Sequence, residues 1–578
     1  MKDQIEKLIG GALKTLDIEE SNFSIEHPED FKNGDYSTNV AMVCAKSLKT
    51  NPRELAEKIK VELEKNLPKE ISKVETAGPG FINFYLSREF FTDNVAEILN
   101  KKSDWGKNEI LKGKKIMVEY TDPNPFKPFH IGHLMTNAIG ESLSRVVEFS
   151  NAETVRANYQ GDVGPHVAKA IYGIMKKGMP EENMKVSEKA HYIGVCYTEG
   201  SNLYDTDENI KKEIEVINKK VYDKTDEEIN KIYDWGREVT LEAFEEIYKL
   251  LGTKFSDGCY FFESAMAPIG EKIVRENTAG AEGNRSTGKV FSESDGAIVF
   301  HGEEYDKKLH TRVFINSQGL PTYETKEIGL TVTKFEKENP DLSIVVTATE
   351  QAEYMKVVSK AISLIHPDYE SRMKHITHGM MRFADGKMSS RKGNVITGES
   401  LLRDSMDMVL EKMKEREMED GEKEKISEVV GVSALKYSIL KSSLGSDIIY
   451  DREKSVSFEG DSGPYLQYTA VRANSILNKA KDFNTDDKKE IPGEITDLEK
   501  YLYQLGEVVE HSYEKLEPHH VATYLTKLAS EFNAFYGNTQ ILKDDNKFAK
   551  YHLDLIKAFY QTMQNGLWLL GIEIPERM

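Results

Sequence analysis

Cysteine is scarce in this chain of 578 residues: Cys44, Cys196 and Cys259 are the only three, far apart, odd in number and without a CxxC pair. That excludes a disulfide framework, and it fits a reducing, cytoplasmic compartment and no structural zinc. No apolar run reaches the roughly 18 residues that a membrane span needs. The opening MKDQIEKLIGGALK carries acids where a secretory signal has an apolar core. Membrane insertion and secretion are therefore not expected. Positive charge is also short, since 77 Lys and Arg face 97 Asp and Glu for a formal charge of −20. Nonspecific coating of nucleic acid draws on Lys and Arg to neutralise phosphate, so an RNA partner must be met here by local basic patches.

What is present describes a multidomain globular protein, as a length well above the usual range of about 100 to 200 residues per domain predicts. Residues 1–105 read as a small α+β domain, with an amphipathic opening helix, turn signals at Asn33-Gly34-Asp35 and a glycine-rich turn before the alternating strand Phe81-Ile-Asn-Phe-Tyr-Leu86. From 106 to 400 the pattern alternates β and α, with strands expected at 115–120, 153–159, 297–301, 310–316 and 342–347 and a charged helical insertion at 165–264. That order predicts a Rossmann-type parallel sheet. After 401 nearly everything is helix-periodic: a connector over 401–450, then an all-α bundle over 451–578. The charge-dense run 411–425 is expected to be a solvated surface.

The strongest chemical signal is the strand ending at Glu119-Tyr120, a tight loop through Asn124 and Lys127, and His130-Ile131-Gly132-His133 at the start of a helix. Free backbone amides and the positive end of the helix dipole make such a start an anion cradle. His130 and His133 share one face of the first turn and can donate to phosphate oxygens, while Gly132 permits close approach of a flat base. A zinc site is disfavoured there for want of a third ligand. Downstream, Lys387-Met388-Ser389-Ser390-Arg391-Lys392 forms a second basic loop between turn signals, suited to gripping pyrophosphate as a mobile lid.

These two elements in this order resemble the HIGH and KMSKS signatures of class I aminoacyl-tRNA synthetases, and their surroundings resemble the arginyl-tRNA synthetase family. The likeness runs through Gly34-Asp35-Tyr36, Gly78-Pro79-Gly80-Phe81, Gly161-Asp162-Val163-Gly164, Pro321-Thr322-Tyr323 and Asp461-Ser462-Gly463-Pro464-Tyr465-Leu466-Gln467-Tyr468 to the terminal Pro575-Glu576-Arg577-Met578. It implies an elbow-contacting N-terminal domain over 1–105 and a DALR-type anticodon-binding domain over 451–578, with Tyr465, Gln467 and Arg472 as tRNA contacts. The implied activity is ATP-dependent activation of L-arginine and its transfer to tRNA(Arg), with Mg2+ accompanying ATP, no structural zinc and a monomeric enzyme.

A guanidinium is a planar fork of donors with no acceptor, so its pocket needs carboxylates. By resemblance, Glu119, Tyr323 and Glu327 line that pocket and Asn124 and Gln351 hold the α-amino and carboxylate ends. ATP falls to His130, Gly132, His133, Lys387, Met388, Ser389, Arg391 and Lys392, with Lys127, His130, His133 and Lys387 catalytic. Two departures stand out. Glu327 replaces the family's usual Asp, and Ser390 stands where the lid's second lysine belongs, a charge that Lys127 is expected to supply. A glutamyl or lysyl enzyme of the same class, a small adenylyltransferase or a non-catalytic descendant are the alternatives, and the Tyr323/Glu327 pair and the helical C-terminal third speak for the arginyl reading.

Overall fold

The computed structural model describes residues 1–19, 22–279, 288–384, 386, 396–485 and 488–578. The chain divides into two compact units, one of 1–106 with 469–507 and 524–566, the other of 107–468 with 508–523 and 567–578.

In the first unit an antiparallel sheet runs in the order Ile25–Glu26, Tyr36–Thr38, Phe81–Leu86, Ile71–Ala77. The helices Lys2–Thr15, Val40–Leu48 and Pro52–Glu64 supply Ile5, Ile9, Val40, Cys44 and Ile59 to the core built on Phe84. The sequence suggests one helical stretch over 38–67; the chain breaks it, because Lys49 adopts a left-handed φ of 52° and Asn51, with Pro52 behind it, caps a new helix. Within the same unit Arg88 pairs with buried Glu499, which also accepts from the Tyr551 hydroxyl.

The second unit is built on a parallel sheet ordered Met373–His378, Leu342–Ala348, Lys115–Glu119, Glu153–Gln160, Tyr260–Phe262. In the strand Lys115–Glu119, Ile116, Met117 and Val118 are buried consecutively, as expected where helices cover both sheet faces. From it the chain steps outward through 153–160 and 260–262, then returns to its other side with 342–348. The strand order thus reverses beside Glu119, and in open α/β sheets such a reversal opens a crevice at the carboxyl ends of the strands.

The helical insertion contains Pro165–Lys177, Val186–Thr206, Glu208–Asp223 and Glu227–Leu250. Asp207 and Asp226 cap the last two. Two expectations need correction. The strands Ala297–His301 and Thr311–Ile315 stand outside the parallel sheet, in a separate sheet with Phe291–Ser294 and Thr278–Ala279. The reason is local: Asp295 and Gly296 both take positive φ, the two-residue hairpin turn that Asp-Gly favours, and this forces antiparallel pairing. The region after 401 is also not wholly helical, because Ile448–Tyr450 pairs in parallel with Met381–Phe383. The run 411–425 is mostly exposed, as its charge predicts.

Candidate active site

At the strand reversal lies a cavity of about 440 Å³. Its walls bring together Glu119, Asn124, His130, Gly132, His133, Tyr323, Glu327 and Gln351, residues scattered over more than 200 positions of sequence. All five side chains expected around arginine line this one space, together with both histidines. Lys127 does not line it. Its ammonium lies 5.6 Å from the ring centroid of Tyr197 on the insertion helix Val186–Thr206. Lys387, Met388, Ser389, Arg391 and Lys392 fall outside the described residues.

The helix Ile131–Phe149 begins with His130 as N-cap, and the two imidazoles complete a reciprocal capping box. The backbone N–H of His133 donates to Nδ1 of His130 at 3.3 Å, and the N–H of His130 donates to Nδ1 of His133 at 3.2 Å. The rings stack with centroids 3.3 Å apart. A backbone N–H can only donate, so each Nδ1 is an acceptor, and in the neutral ring the proton sits on Nε2. Burial and then the nearby Lys127 charge hold His130 at about 4, and burial with the His130 and Lys127 charges holds His133 well below the usual histidine range. Both rings are therefore neutral near pH 7 and offer Nε2–H donors. Gly132 has a second role that its spacing did not reveal: a Cβ there would come within 2.9 Å of the His130 ring.

The loop before this helix is strained. Thr121, Asp122 and Phe126 take φ of 78°, 48° and 68°, and positive φ is costly for a β-branched residue. The surroundings hold it there. Asn137 donates to the Thr121 hydroxyl at 2.9 Å, and the backbone N–H of Tyr159 donates to Asp122 at 2.7 Å.

The cavity is acidic. Among the described residues, Glu119, Asp122, Glu263, Glu324, Glu327 and Glu350 face one lining cation, Arg312. Glu119 accepts from buried Lys334 at 2.7 Å, Glu263 from buried Lys326 at 2.6 Å, and Arg312 lies 3.5 Å from Glu324. Burial and the Glu119 carboxylate push Glu327 up to about 8, and the same two causes push Asp122 well above the carboxylate range. Three carboxylates thus share the charge of one lysine, and the space between them favours an added cation. Tyr323 stands at the rim, with the Lys326 ammonium 4.9 Å from its ring centroid. A Cβ at Gly161 would sit 2.1 Å from Oδ1 of Asn124, so the bare glycine sets where Asn124 can lie.

Sequence reasoning missed Asp122, Glu263, Lys326, Lys334 and Arg312. Only Asp122 carried a local signal, its place in the loop before the HxGH helix. Of the expected tRNA contacts, Arg472 donates to Asn533 at 2.8 Å and Tyr465 lies near the start of the helix Gly463–Lys479. Gln467 is fully buried and donates to the Glu573 carbonyl at 2.6 Å, which leaves it no face for RNA.

Comparison with known proteins agrees with this geometry. Residues 94–452 match the model of the class I (R) tRNA synthetase catalytic domain, 466–578 the DALR anticodon binding domain and 3–86 the arginyl tRNA synthetase N terminal domain. The fold is thus that of a class I aminoacyl-tRNA synthetase. An arginine–tRNA ligase of Clostridium perfringens is 31% identical over 99% of both chains, and one of Halothermothrix orenii 30% identical over 100% of this chain and 99% of its own. The arginyl-tRNA synthetase structure of Thermus thermophilus superposes with a TM-score of 0.81 at 22% identity over 100% of both chains. That of Plasmodium falciparum gives 0.79 at 20% identity, covering 100% of this chain and 99% of its own. The chain belongs to the arginyl-tRNA synthetase family.

Proposed function

We propose that this protein is an arginine–tRNA ligase, which activates L-arginine with ATP to arginyl-adenylate and passes the arginyl group to the 3′-terminal adenosine of tRNA(Arg). The observation that carries this reading is the meeting of an acidic cavity with two neutral histidines at a helix N-terminus. Glu119, Glu327 and the Tyr323 phenol accept or flank the guanidinium, while Asn124 and Gln351 hold the α-amino and carboxylate ends. The arginine carboxylate attacks the α-phosphate in line, and pyrophosphate leaves. Nε2–H of His130 and His133, with the positive end of their helix, stabilises the phosphate oxygens where charge develops. Mg2+ arrives as part of the MgATP substrate. A ribose hydroxyl of the terminal adenosine then attacks the activated carbonyl and AMP departs.

Lys127 is assigned to supply charge that Ser390 does not, and Lys387, Met388, Ser389, Arg391 and Lys392 to grip the phosphates. The domain roles proposed are tRNA-elbow contact for 1–105, catalysis for 106–400, connection for 401–450 and anticodon binding for 451–578, with Tyr465 and Arg472 toward RNA. Action as a monomer in the cytoplasm is part of the same reading. Its support is the scarcity of cysteine, with all three thiols free and buried, and the fact that no helix among the described residues is long and apolar enough to cross a membrane.

Aminoacylation of purified tRNA with arginine, glutamate, lysine and citrulline tests the assignment. Citrulline matters most because it keeps the arginine shape without the charge, so a carboxylate pocket must reject it. Charging with arginine alone is expected; failure with arginine, or equal use of citrulline, overturns the reading.

A further inference from the structure

A second cluster of chemically capable side chains stands where the helix Leu505–Lys515 gives way to the helix His519–Asn538. Leu516 takes a left-handed φ of 56°, and this tight corner turns Glu517, His519 and His520 toward one another. The Glu517 carboxylate lies 3.2 Å from Nε2 of His520 and 3.6 Å from Nδ1 of His519. One ligand atom from each of the three residues falls within 4.8 Å of the others. The ring of His511 stands 4.4 Å from that of His520.

Two features separate this group from a chance surface cluster. The facing nitrogens, Nδ1 of His519 and Nε2 of His520, are buried, and among the described residues neither makes a hydrogen bond of directional geometry, despite the carboxylate oxygen close by. Two ring nitrogens and a carboxylate oxygen that converge this closely are suited to a cation. The spacing is also right. Zn–N and Zn–O bonds of about 2.0–2.1 Å set tetrahedral ligand edges near 3.3 Å, between the two distances observed. The positive end of the second helix opposes a cation, and the Glu517 charge offsets it.

We propose that Glu517, His519 and His520 bind one divalent transition-metal ion of the zinc class, with the fourth position open to water. Such an ion would clip the end of one helix to the start of the next, at a site separate from the chemistry of the catalytic cavity. The cysteine count reads against structural zinc of any kind, and a His₂Glu donor set is invisible to it.

The test uses untagged full-length protein, stripped with chelator, desalted and titrated with Co2+ as a spectroscopic probe and then with Zn2+. One equivalent of Co2+ with the intense visible bands of a four-coordinate ion, displaced by Zn2+, is expected. His520→Ala and Glu517→Gln should each weaken Zn2+ binding by more than about tenfold, while metal-free melting curves check that both variants fold. Weak six-coordinate binding only, or affinity unchanged in both variants, overturns the proposal.

Discussion

His130 and His133 cap one another: each ring nitrogen Nδ1 receives the other residue's backbone N–H, and the two rings stack. The same imidazoles therefore hold a helix start together and, through Nε2–H, present the donors that ATP needs. These duties can be separated, because asparagine reproduces the Nδ1 acceptor and glutamine the Nε2 donor.

His133→Asn and His130→Asn should keep the cap and lose the donor. The expected result is adenylate formation slowed by roughly 10²-fold or more with little change in melting temperature. His130→Gln should lose about 1 kcal/mol of stability and retain more activity than His130→Asn. Stopped-flow or pyrophosphate-exchange rates, paired with thermal melts, check the pattern. Because His130 titrates near 4, no change in ATP affinity attributable to these rings is expected as pH falls from 8 to 5.5.

Glu327 gives the arginine pocket a pH signature. Its carboxyl group is pushed up to about 8, so the free enzyme holds a proton there at neutral pH, and a bound guanidinium favours its release. Arginine affinity should therefore rise with pH and level off above about 8. For the free protein the sign runs the other way: this group stabilises the fold fully below the ordinary glutamate range, and that contribution is lost as pH rises through 8. Calorimetry in buffers of different ionisation enthalpy should detect proton release on arginine binding at pH 7. Glu327→Gln should reduce both the release and the pH slope, with Asp122 as the remaining raised carboxyl, at a cost of at least about tenfold in affinity.

Lys127→Ala should slow adenylate formation by more than about tenfold, or roughly 1.4 kcal/mol of barrier. Its charge sits over Tyr197 and outside the cavity lining, so near-normal ATP turnover in this variant would remove it from the mechanism.

Gly161→Ala should act on arginine without unfolding the protein. The new methyl would meet Asn124 Oδ1 at 2.1 Å and Glu263 at 3.0 Å, both facing the cavity. The KM for arginine should rise by about tenfold or more, the equivalent of roughly 1.4 kcal/mol, with the KM for ATP much less affected. A parallel rise in both would place the damage elsewhere.

Lys334→Met should strand Glu119 in a buried site. Loss of one partner from a buried ion pair costs about 3–5 kcal/mol. Chemical denaturation should show the lost stability, and arginine binding should weaken at neutral pH.

Much of this was written in local pattern. Consecutive apolar residues at 116–118 mark a buried parallel strand, and Asp207 and Asp226 mark helix starts by their own chemistry, whereas the start at Asn51-Pro52 falls inside what helical periodicity alone reads as one stretch over 38–67. The HxGH element announces itself because its ligand-facing groups lie within one helical turn. Other parts had weaker local marks: the Asp295-Gly296 turn decides which sheet the 297–301 strand joins, yet a strand's partner is not encoded in its own alternation.

By itself, then, the amino-acid sequence determined most of the elements, the family likeness, the histidine pair and the residues able to hold a guanidinium. Only the tertiary structure decided the electrostatics. Glu119, Asp122 and Glu327 acquire their shared charge because strands and a helix distant in sequence converge at the sheet's reversal, and Lys334 meets Glu119 across 215 positions. Gln467 turned inward and Lys127 turned toward Tyr197 for the same reason: side-chain direction and burial are set by what packs against an element, and a one-dimensional spacing does not contain that neighbour.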